Sequence, residues 1–331
     1  MSPPSPLKVL IIGCGRIAGG FDHESSEAGP SYSHAGAYSK SDKFVLSACV
    51  DPDDQVRERF MKKWGILDGY RTLNEAKNST KYFDVISICT PTALHEDSIV
   101  VAVDLAPKLI FCEKPLGLTY DSAKNIVDVC SRSGVRLAVN FSRRWDLTIK
   151  NLKNEIESKK WGELRAISGS YCRGLINNGA HMIDLLGYLL GKLDIEYVGA
   201  GINDFSHNDL SRPFVLRAGS TPIFINCSNG SDYSMFEIQF IFSKMSIEMK
   251  DGGLRWLYRS VEDDPIFTGH RKISLGELSQ GYYSSVFDLA IENIYCNIHT
   301  DEFLASDGLS ALTTQSMCEQ ILNFNNNLGI R

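Results

Sequence analysis

The sequence predicts an α/β fold in two parts. Residues 1–140 read as a parallel sheet covered by helices, and residues 141–331 as an α+β domain with a large, mostly antiparallel sheet open on one face. Three observations predict this. The 331 residues are enough for two domains with separate cores. The first half alternates short apolar runs with amphipathic stretches, and the second half joins strand-like runs by short turns.

Taken in order, Lys8–Ile12, Val45–Val50, Val85–Cys89, Leu109–Cys112 and Arg136–Val139 are continuous apolar runs rich in β-branched residues. Such runs suit strands buried on both faces. Ala93–Leu105 and Thr119–Ser133 between them have helical periodicity. After a helix around Asp146–Ser158, strands are expected at Leu164–Cys172, Asp194–Gly201, Pro222–Asn226, Phe236–Phe242, Met245–Met249 and Gly253–Tyr258. A helix at Gly179–Leu190 interrupts them, and helices near Tyr282–Ile298 and Asp307–Phe324 follow. A sheet so arranged leaves one face for a second copy of the chain, predicting a homodimer or homotetramer.

Composition excludes several classes. Apolar residues at 43 % and charged residues at 22 % describe a globular domain mix. A net charge of −6 with scattered Lys and Arg argues against nucleic acid. The apolar run Val9–Ile12 is too short for a signal peptide or a membrane span, so a cytoplasmic protein without a membrane partner is expected. The nine cysteines have no CxxC spacing, and Cys14, Cys49, Cys89, Cys112 and Cys130 fall singly in apolar segments, as buried reduced thiols do. His23, His34, His95, His207, His270 and His299 form no HxxxH pattern, and no metal site is expected.

Gly13-Cys14-Gly15-Arg16-Ile17-Ala18 directly follows the first strand and fits the G-x-G-x-x-G/A fingerprint of a dinucleotide-binding Rossmann domain. The first glycine permits the tight turn and the second lets backbone approach a pyrophosphate. The small third position lets a helix pack close, with its N-terminal N–H groups turned to the anion. Asp51 ends the second strand, where a carboxylate can bind ribose hydroxyls and repel a 2′-phosphate, favouring NAD over NADP; its other reading is as the start of the turn Asp51-Pro52-Asp53-Asp54. It lies further from the cradle than the roughly 20 residues usual for this element. The excess is the inserted loop Phe21–Ser33, either a solvated loop or a cover whose Phe21, Asp22 or His23 reach substrate.

Glu113-Lys114-Pro115 closes the fourth strand, at the sheet edge where ligands of such folds lie. On local residues alone, Lys114 is either a surface lysine balanced by Glu113 or a donor to a substrate oxygen. Glu113-Lys114-Pro115 after a GxGxxA cradle resembles the glucose–fructose oxidoreductase / inositol dehydrogenase / MocA family. The resemblance continues in Thr90-Pro91 at the third strand's end, Asn140 and Arg144 as Asn-x-x-x-Arg, and Trp161-Gly162-Glu163. It ends in Asn177-Asn178-Gly179-Ala180-His181-Met182-Ile183-Asp184, which is similar to the family's D-x-G-x-H-x-x-D segment.

That resemblance implies an NAD(P)-dependent oxidoreductase moving a hydride between nicotinamide and a sugar, cyclitol or nucleotide sugar. It implies Lys114 and His181 as acid and base. It implies cofactor contacts from Gly13, Gly15, Arg16, Ile17, Asp51, Thr90, Pro91, His95, Glu113 and Lys114. Substrate contacts fall to Lys114, Asn140, Arg144, Arg173, Asn177, Asn178 and His181. Arginines there, Arg143 included, suit a carboxylate or phosphate, or a structural ion pair. Tyr171 belongs to the same stretch, and Trp256, Tyr258, Tyr282 and Tyr283 are either sugar-stacking rings or core. One departure stands out: the family often has Asp where this chain has Asn177, and an amide cannot pair with imidazolium by charge. Two other readings of the same scaffold are an NAD-dependent redox-elimination glycosidase or lyase, and a non-catalytic NAD-binding regulator.

Overall fold

The computed structural model describes residues 5–22 and 29–324. It divides into two compact units, Met1–Trp145 with Ser284–Gln315, and Asp146–Tyr283 with the chain from Ser316 onward. The expected boundary at 140 therefore moves to 145, and the chain comes back to the first unit near its end.

In the first unit the strands are β1 (Leu7–Ile12), β2 (Phe44–Val50), β3 (Asp68–Tyr70), β4 (Val85–Ile88), β5 (Leu109–Cys112) and β6 (Arg136–Val139). The helices between them are α1 (His34–Lys40), α2 (Asp54–Trp64), α3 (Leu73–Asn78), α4 (His95–Ala102) and α5 (Tyr120–Arg132). The sheet is parallel in the order β3-β2-β1-β4-β5-β6. This is the doubly wound order, whose direction reverses between β1 and β4, the point at which such folds bind ligands beyond the carboxyl ends of their strands. Val9, Leu10, Ile11, Ile86, Ile110 and Phe111 are fully buried, which is why these strands are uninterrupted apolar runs. The short edge strand β3, with one exposed and two half-buried residues, carries no such signal.

The second unit contains α6 (Leu147–Glu157), begun by Asp146, whose carboxylate accepts from Thr148 N at 2.7 Å. It continues with β7 (Leu164–Tyr171), α7 (Ala180–Leu190), β8 (Asp194–Val198), β9 (Ile202–Ser206), β10 (Asp209–Ser211), β11 (Phe214–Ala218), β12 (Thr221–Cys227), β13 (Phe236–Phe242), β14 (Met245–Lys250), β15 (Arg255–Asp263), β16 (Arg271–Ile273) and β17 (Glu277–Gln280). Nine of these strands form one sheet, antiparallel at every pairing except β12 with β7; β9 and β10 stand apart as a hairpin. Ile223, Ile225, Ile238, Phe240 and Ile247 are buried on one face, while their neighbours Phe224, Asn226, Gln239, Ile241 and Glu248 are not. That alternation marks a sheet packed on one side only. Trp256 is wholly buried with Nε1 donating to Gly253 O at 3.1 Å, so it is core.

The chain then re-enters the first unit as α8 (Val286–Thr300). Asn293 accepts from Trp145 Nε1 at 3.1 Å, and the Asn297 carbonyl accepts from Arg136 at 2.5 Å. Ser306 O accepts from Val139 N at 3.0 Å, beside β6. The last helix, α9 (Gly308–Leu322), spans both groups of residues. Among the described residues, no helix is long and apolar enough to cross a membrane, and no cluster of His, Cys, Asp or Glu could hold a metal ion.

Candidate active site

At the end of β1, Gly13 N donates to Val50 O at 2.8 Å and the residue adopts φ +85°. A Cβ here would stand 2.8 Å from Cys89 O, so glycine is what lets β1 turn between β2 and β4. A Cβ on Gly15 would meet nothing within 4 Å. The two glycines of one motif thus act differently, the first by packing and the second by leaving backbone bare. Arg16 is exposed, its guanidinium 4.8 Å from the Phe21 ring, and Ile17 is half-buried.

The helix that should follow this turn is cut in two. Gly19 N and Gly20 N reach Gly15 O, and Phe21 N reaches Arg16 O, then the helical course stops. It resumes at α1, where His34 N and Ala35 N bond back to Ile17 O and Ala18 O. Asp22 closes the neck of the insertion: buried, it accepts from Tyr32 N at 3.0 Å and Ser33 Oγ at 2.5 Å. Asp22 is a structural brace here rather than a cover, and Phe21 lies against Arg16; His23 lies outside the described residues.

Asp51 starts the turn and also reaches the cradle. Its Oδ1 accepts from Asp53 N at 3.0 Å within the turn, and its Oδ2 accepts from Cys14 N at 2.8 Å inside the cradle. The carboxylate therefore clamps the cradle to the end of β2 and keeps its charge beside it.

At the switch point, β4 runs into Thr90-Pro91 and β5 into Glu113-Lys114-Pro115. Thr90 Oγ1 is buried and has no hydrogen-bond partner among the described residues. Lys114 is half-buried two residues beyond the last residue of β5. Glu113, behind it, is buried and held from three sides: His34 Nε2 at 2.9 Å, Asn140 Nδ2 at 2.6 Å and Lys114 N at 3.3 Å. Burial pushes its carboxyl up, but the His34 bond and charge, the Asn140 bond and the Lys114 charge outweigh this and leave it below the ordinary value. His34 continues inward to Ser87 Oγ at 3.3 Å, which meets Tyr38 OH at 3.0 Å. Its ring packs 4.5 Å from Phe111 and 5.5 Å from Phe287. Burial also holds the Cys89 and Cys112 thiols well above their ordinary value, so they stay protonated beside this network.

Four of the residues expected at the site, His95, Glu113, Asn140 and Arg144, have polar atoms engaged within the chain. His95 is wholly buried, with Nδ1 at 3.1 and 3.2 Å from Pro115 O and Leu116 O and Nε2 at 3.0 Å from Thr90 O. Its ring ties the Thr90 turn to the Lys114 turn and offers no edge to a cofactor. The Glu113 carboxylate accepts from the Asn140 amide and from the Lys114 backbone N–H, which ties β6 to the turn that carries Lys114. Arg144 sends NH1 to Ala305 O at 3.4 Å, and Arg143 is buried. The composition of the sequence hid His34, because nothing local distinguishes a histidine at the start of a short helix.

In the second unit, Arg173 and Gly174 both have positive φ, at +68° and +83°. A turn of π-helix, Leu175–Gly179, follows and runs without a break into α7, on which His181 is half-buried and Asp184 buried. Such turns commonly mark functional positions. Asn177 Nδ2 donates to Arg173 O at 3.0 Å, and Asn178 Nδ2 to Cys172 O at 2.9 Å. This explains the departure at Asn177: an amide can donate to that carbonyl, and a carboxylate would repel it. Arg173 is exposed and its backbone N–H is taken by Asp204 at 2.5 Å. Tyr171 is buried, its hydroxyl donating to Arg212 O at 2.8 Å and accepting from Arg212 N at 2.9 Å, so it belongs to the core.

The first unit fits a dinucleotide on three counts: the bare backbone at Gly15, the unpartnered Thr90 Oγ1 and the carboxylate of Asp51 beside the glycine turn. Residues 7–141 match the model of an oxidoreductase family with an NAD-binding Rossmann fold, Gfo/Idh/MocA. The chain resembles this family over that stretch, 135 of its 331 residues. It is 25 % identical over 215 residues to the D-glucoside 3-dehydrogenase of Escherichia coli, covering 59 % of this chain and 57 % of that one. It is 28 % identical over 158 residues to the myo-inositol 2-dehydrogenase of Thermotoga maritima, covering 47 % and 42 %. The chain thus spans about half the length of the curated relatives it matches. The likeness in fold extends further. The WlbA dehydrogenase from Bordetella pertussis, solved with NADH and UDP-GlcNAcA, superposes with a TM-score of 0.75 over 96 % of this chain and 94 % of that one, at 17 % identity.

Proposed function

We propose that this chain is an NAD-dependent dehydrogenase or ketoreductase of the Gfo/Idh/MocA family, acting on a secondary alcohol or ketone of a sugar, cyclitol or nucleotide sugar. The observation that carries the reading is Lys114 directly beyond β5, at the same carboxyl edge of the sheet that bears the glycine turn. Its relatives are named for glucoside and inositol oxidation, which supports the substrate class.

A nicotinamide held there would supply the acceptor or donor for the hydride of the C–H bond. The chain's own residues manage the matching proton at the substrate oxygen. Lys114 donates to that oxygen and lowers its pKa, and the family resemblance implies His181 of the second unit as the residue that takes or returns the proton. Gly13 and Gly15 supply backbone for the pyrophosphate, with Arg16 and Ile17 opening the helical turn behind it. Thr90 and Pro91 lie at the switch point, and Asp51 binds the adenosine ribose and disfavours a 2′-phosphate. Arg144, Arg173, Asn177 and Asn178 serve the substrate side. The nine free cysteines suit a cytoplasmic setting, and a second copy over the open sheet face gives a homodimer or homotetramer.

The test is purified protein with NAD or NADP and a panel of sugars, cyclitols and nucleotide sugars, read at the absorbance of reduced nicotinamide. Turnover that is lost in Lys114→Ala supports the reading. Undiminished turnover in that variant removes Lys114 from the chemistry, and product formed from a substrate with no cofactor added and no net absorbance change points to redox elimination instead.

A further inference from the structure

The segment that carries Asn177, Asn178 and His181 does not hold its own shape. Its first residues sit in the left-handed region, where a non-glycine such as Arg173 is disfavoured by about 1 kcal/mol. Within the turn, Asn178 N and Gly179 N both bond to Gly174 O, at 3.1 and 3.0 Å. The N–H groups at its start point away from the turn and need acceptors from elsewhere.

The β9–β10 hairpin supplies them. Asp209, the first residue of β10, accepts from Ile176 N at 2.8 Å through Oδ1 and from Asn177 N at 2.9 Å through Oδ2. The Leu175 N–H also bonds to this carboxylate. Gly174 leaves the space it occupies, for a Cβ there would stand 2.2 Å from Asp209 Oδ2. Asp204, on β9, takes Arg173 N at 2.5 Å, Gly174 N at 3.3 Å, Gly230 N at 3.1 Å and Ser211 Oγ at 2.8 Å. Ser211 Oγ in turn accepts from Gly174 N at 2.8 Å. Two carboxylates on one hairpin therefore receive five successive backbone N–H groups, Arg173 to Asn177, immediately ahead of the helix bearing His181.

We propose that Asp209, seconded by Asp204, is a positioning residue that sets the orientation of His181 by fixing the π-helical turn from which α7 continues. The inference rests on the oxidoreductase reading for its effect on rate, but its structural half stands apart from it. Asn177 donates its amide to Arg173 O and brings no charge to the turn; Asp209 brings that charge from a different strand. Because Gly179 passes into Ala180 without a linker, a rotation of the turn is carried directly to His181. A misplacement of about 1 Å in a reacting group is enough for a rate loss on the order of 100-fold.

The experiment compares the full-length protein with Asp209→Asn by three readouts. These are kcat and KM on a substrate found for the wild type, NAD affinity by fluorescence, and the His181 ring resonances in ¹H–¹³C NMR, assigned with His181→Gln. The expected result is a kcat reduced by about 100-fold, an unchanged NAD affinity and displaced His181 resonances. Wild-type turnover with an Asp209→Asn variant that is equally fast and has undisplaced resonances overturns the positioning role and leaves the oxidoreductase reading intact. A wild type that turns over nothing sinks the oxidoreductase reading, and the resonances then decide the positioning role alone. If Asp209→Asn does not fold, Asp204→Asn takes its place, and undisplaced His181 resonances in that variant overturn the proposal.

Discussion

His34 Nε2 lies 2.9 Å from Glu113 Oε1, a buried contact between the first residue of a helix and the residue just before Lys114. The two lie 79 residues apart in the sequence, and their contact fixes the backbone from which Lys114 extends. Breaking one side of a buried pair leaves a charge without its partner, which costs about 3 kcal/mol or more. Glu113→Ala is therefore expected to lower the unfolding free energy by that amount, and His34→Ala/Glu113→Ala by less than the sum of the single changes, measured by urea denaturation. Additive losses would refute the coupling. The Glu113 carboxyl lies below its ordinary value of 4.5 in the folded chain. Its contribution is hence complete above that value and disappears as the pH falls through 4.5 and then through the folded value.

The two cradle glycines should respond differently to alanine. At Gly13, positive φ and a Cys89 carbonyl 2.8 Å from the new Cβ predict a loss of about 1–3 kcal/mol of stability. At Gly15 the space is open, so Gly15→Ala should melt at the wild-type temperature. Its NAD affinity should nevertheless fall at least tenfold, about 1.4 kcal/mol, because the methyl stands where a pyrophosphate approaches. Calorimetry of binding and of unfolding on the same samples separates the two effects; a Gly15→Ala protein that binds NAD normally would place the pyrophosphate elsewhere.

Asp51→Ser removes the carboxylate that holds Cys14 N. The ratio of kcat/KM for NADP over NAD should rise at least tenfold, about 1.4 kcal/mol. The melting temperature should drop slightly as the cradle loses one hydrogen bond, worth about 1 kcal/mol. An unchanged ratio would limit Asp51 to its place in the turn.

His95 faces three carbonyl oxygens from inside the protein. Burial lowers its pKa from the ordinary 6.5, although the carbonyls of Thr90, Leu116 and Pro115 and the Glu113 charge pull the other way. The folded chain then resists a proton that the unfolded chain accepts, so stability falls as the pH drops below 6.5 towards the folded value. In His95→Gln, which keeps a donor and an acceptor, that part of the pH dependence should vanish between pH 7.5 and pH 5, as read from urea midpoints. A midpoint curve parallel to the wild type would assign the pH dependence to other groups.

Much of the first unit could be read from residues alone. Strands such as Leu109–Cys112 are buried on both faces, so hydrophobicity marks them without reference to any partner. The glycine turn was legible for a similar reason, since its conformation and its bareness are properties of Gly13 and Gly15 themselves. The edge strand β3 and the hairpin strands β9 and β10 were not legible, because their residues are mostly exposed or polar and are strands only by virtue of what they pair with. The same holds for α8: its amphipathic pattern predicts a helix, and only contacts such as Asn293 with Trp145 assign it to the first unit.

The sequence by itself determined the two-part α/β architecture, the glycine cradle with Asp51 near it, and a lysine at the end of the fourth buried strand. These depend on local periodicity, backbone conformation and the order of elements along the chain. Tertiary structure alone decided which polar side chains face one another: His34 with Glu113, His95 with the carbonyls of two turns, and Asp209 with the amides ahead of His181. Each of these includes a hydrogen bond between residues 20 or more apart in sequence, made in a buried or half-buried place. Such bonds are selected by the packing around them, and no spacing along the chain encodes them.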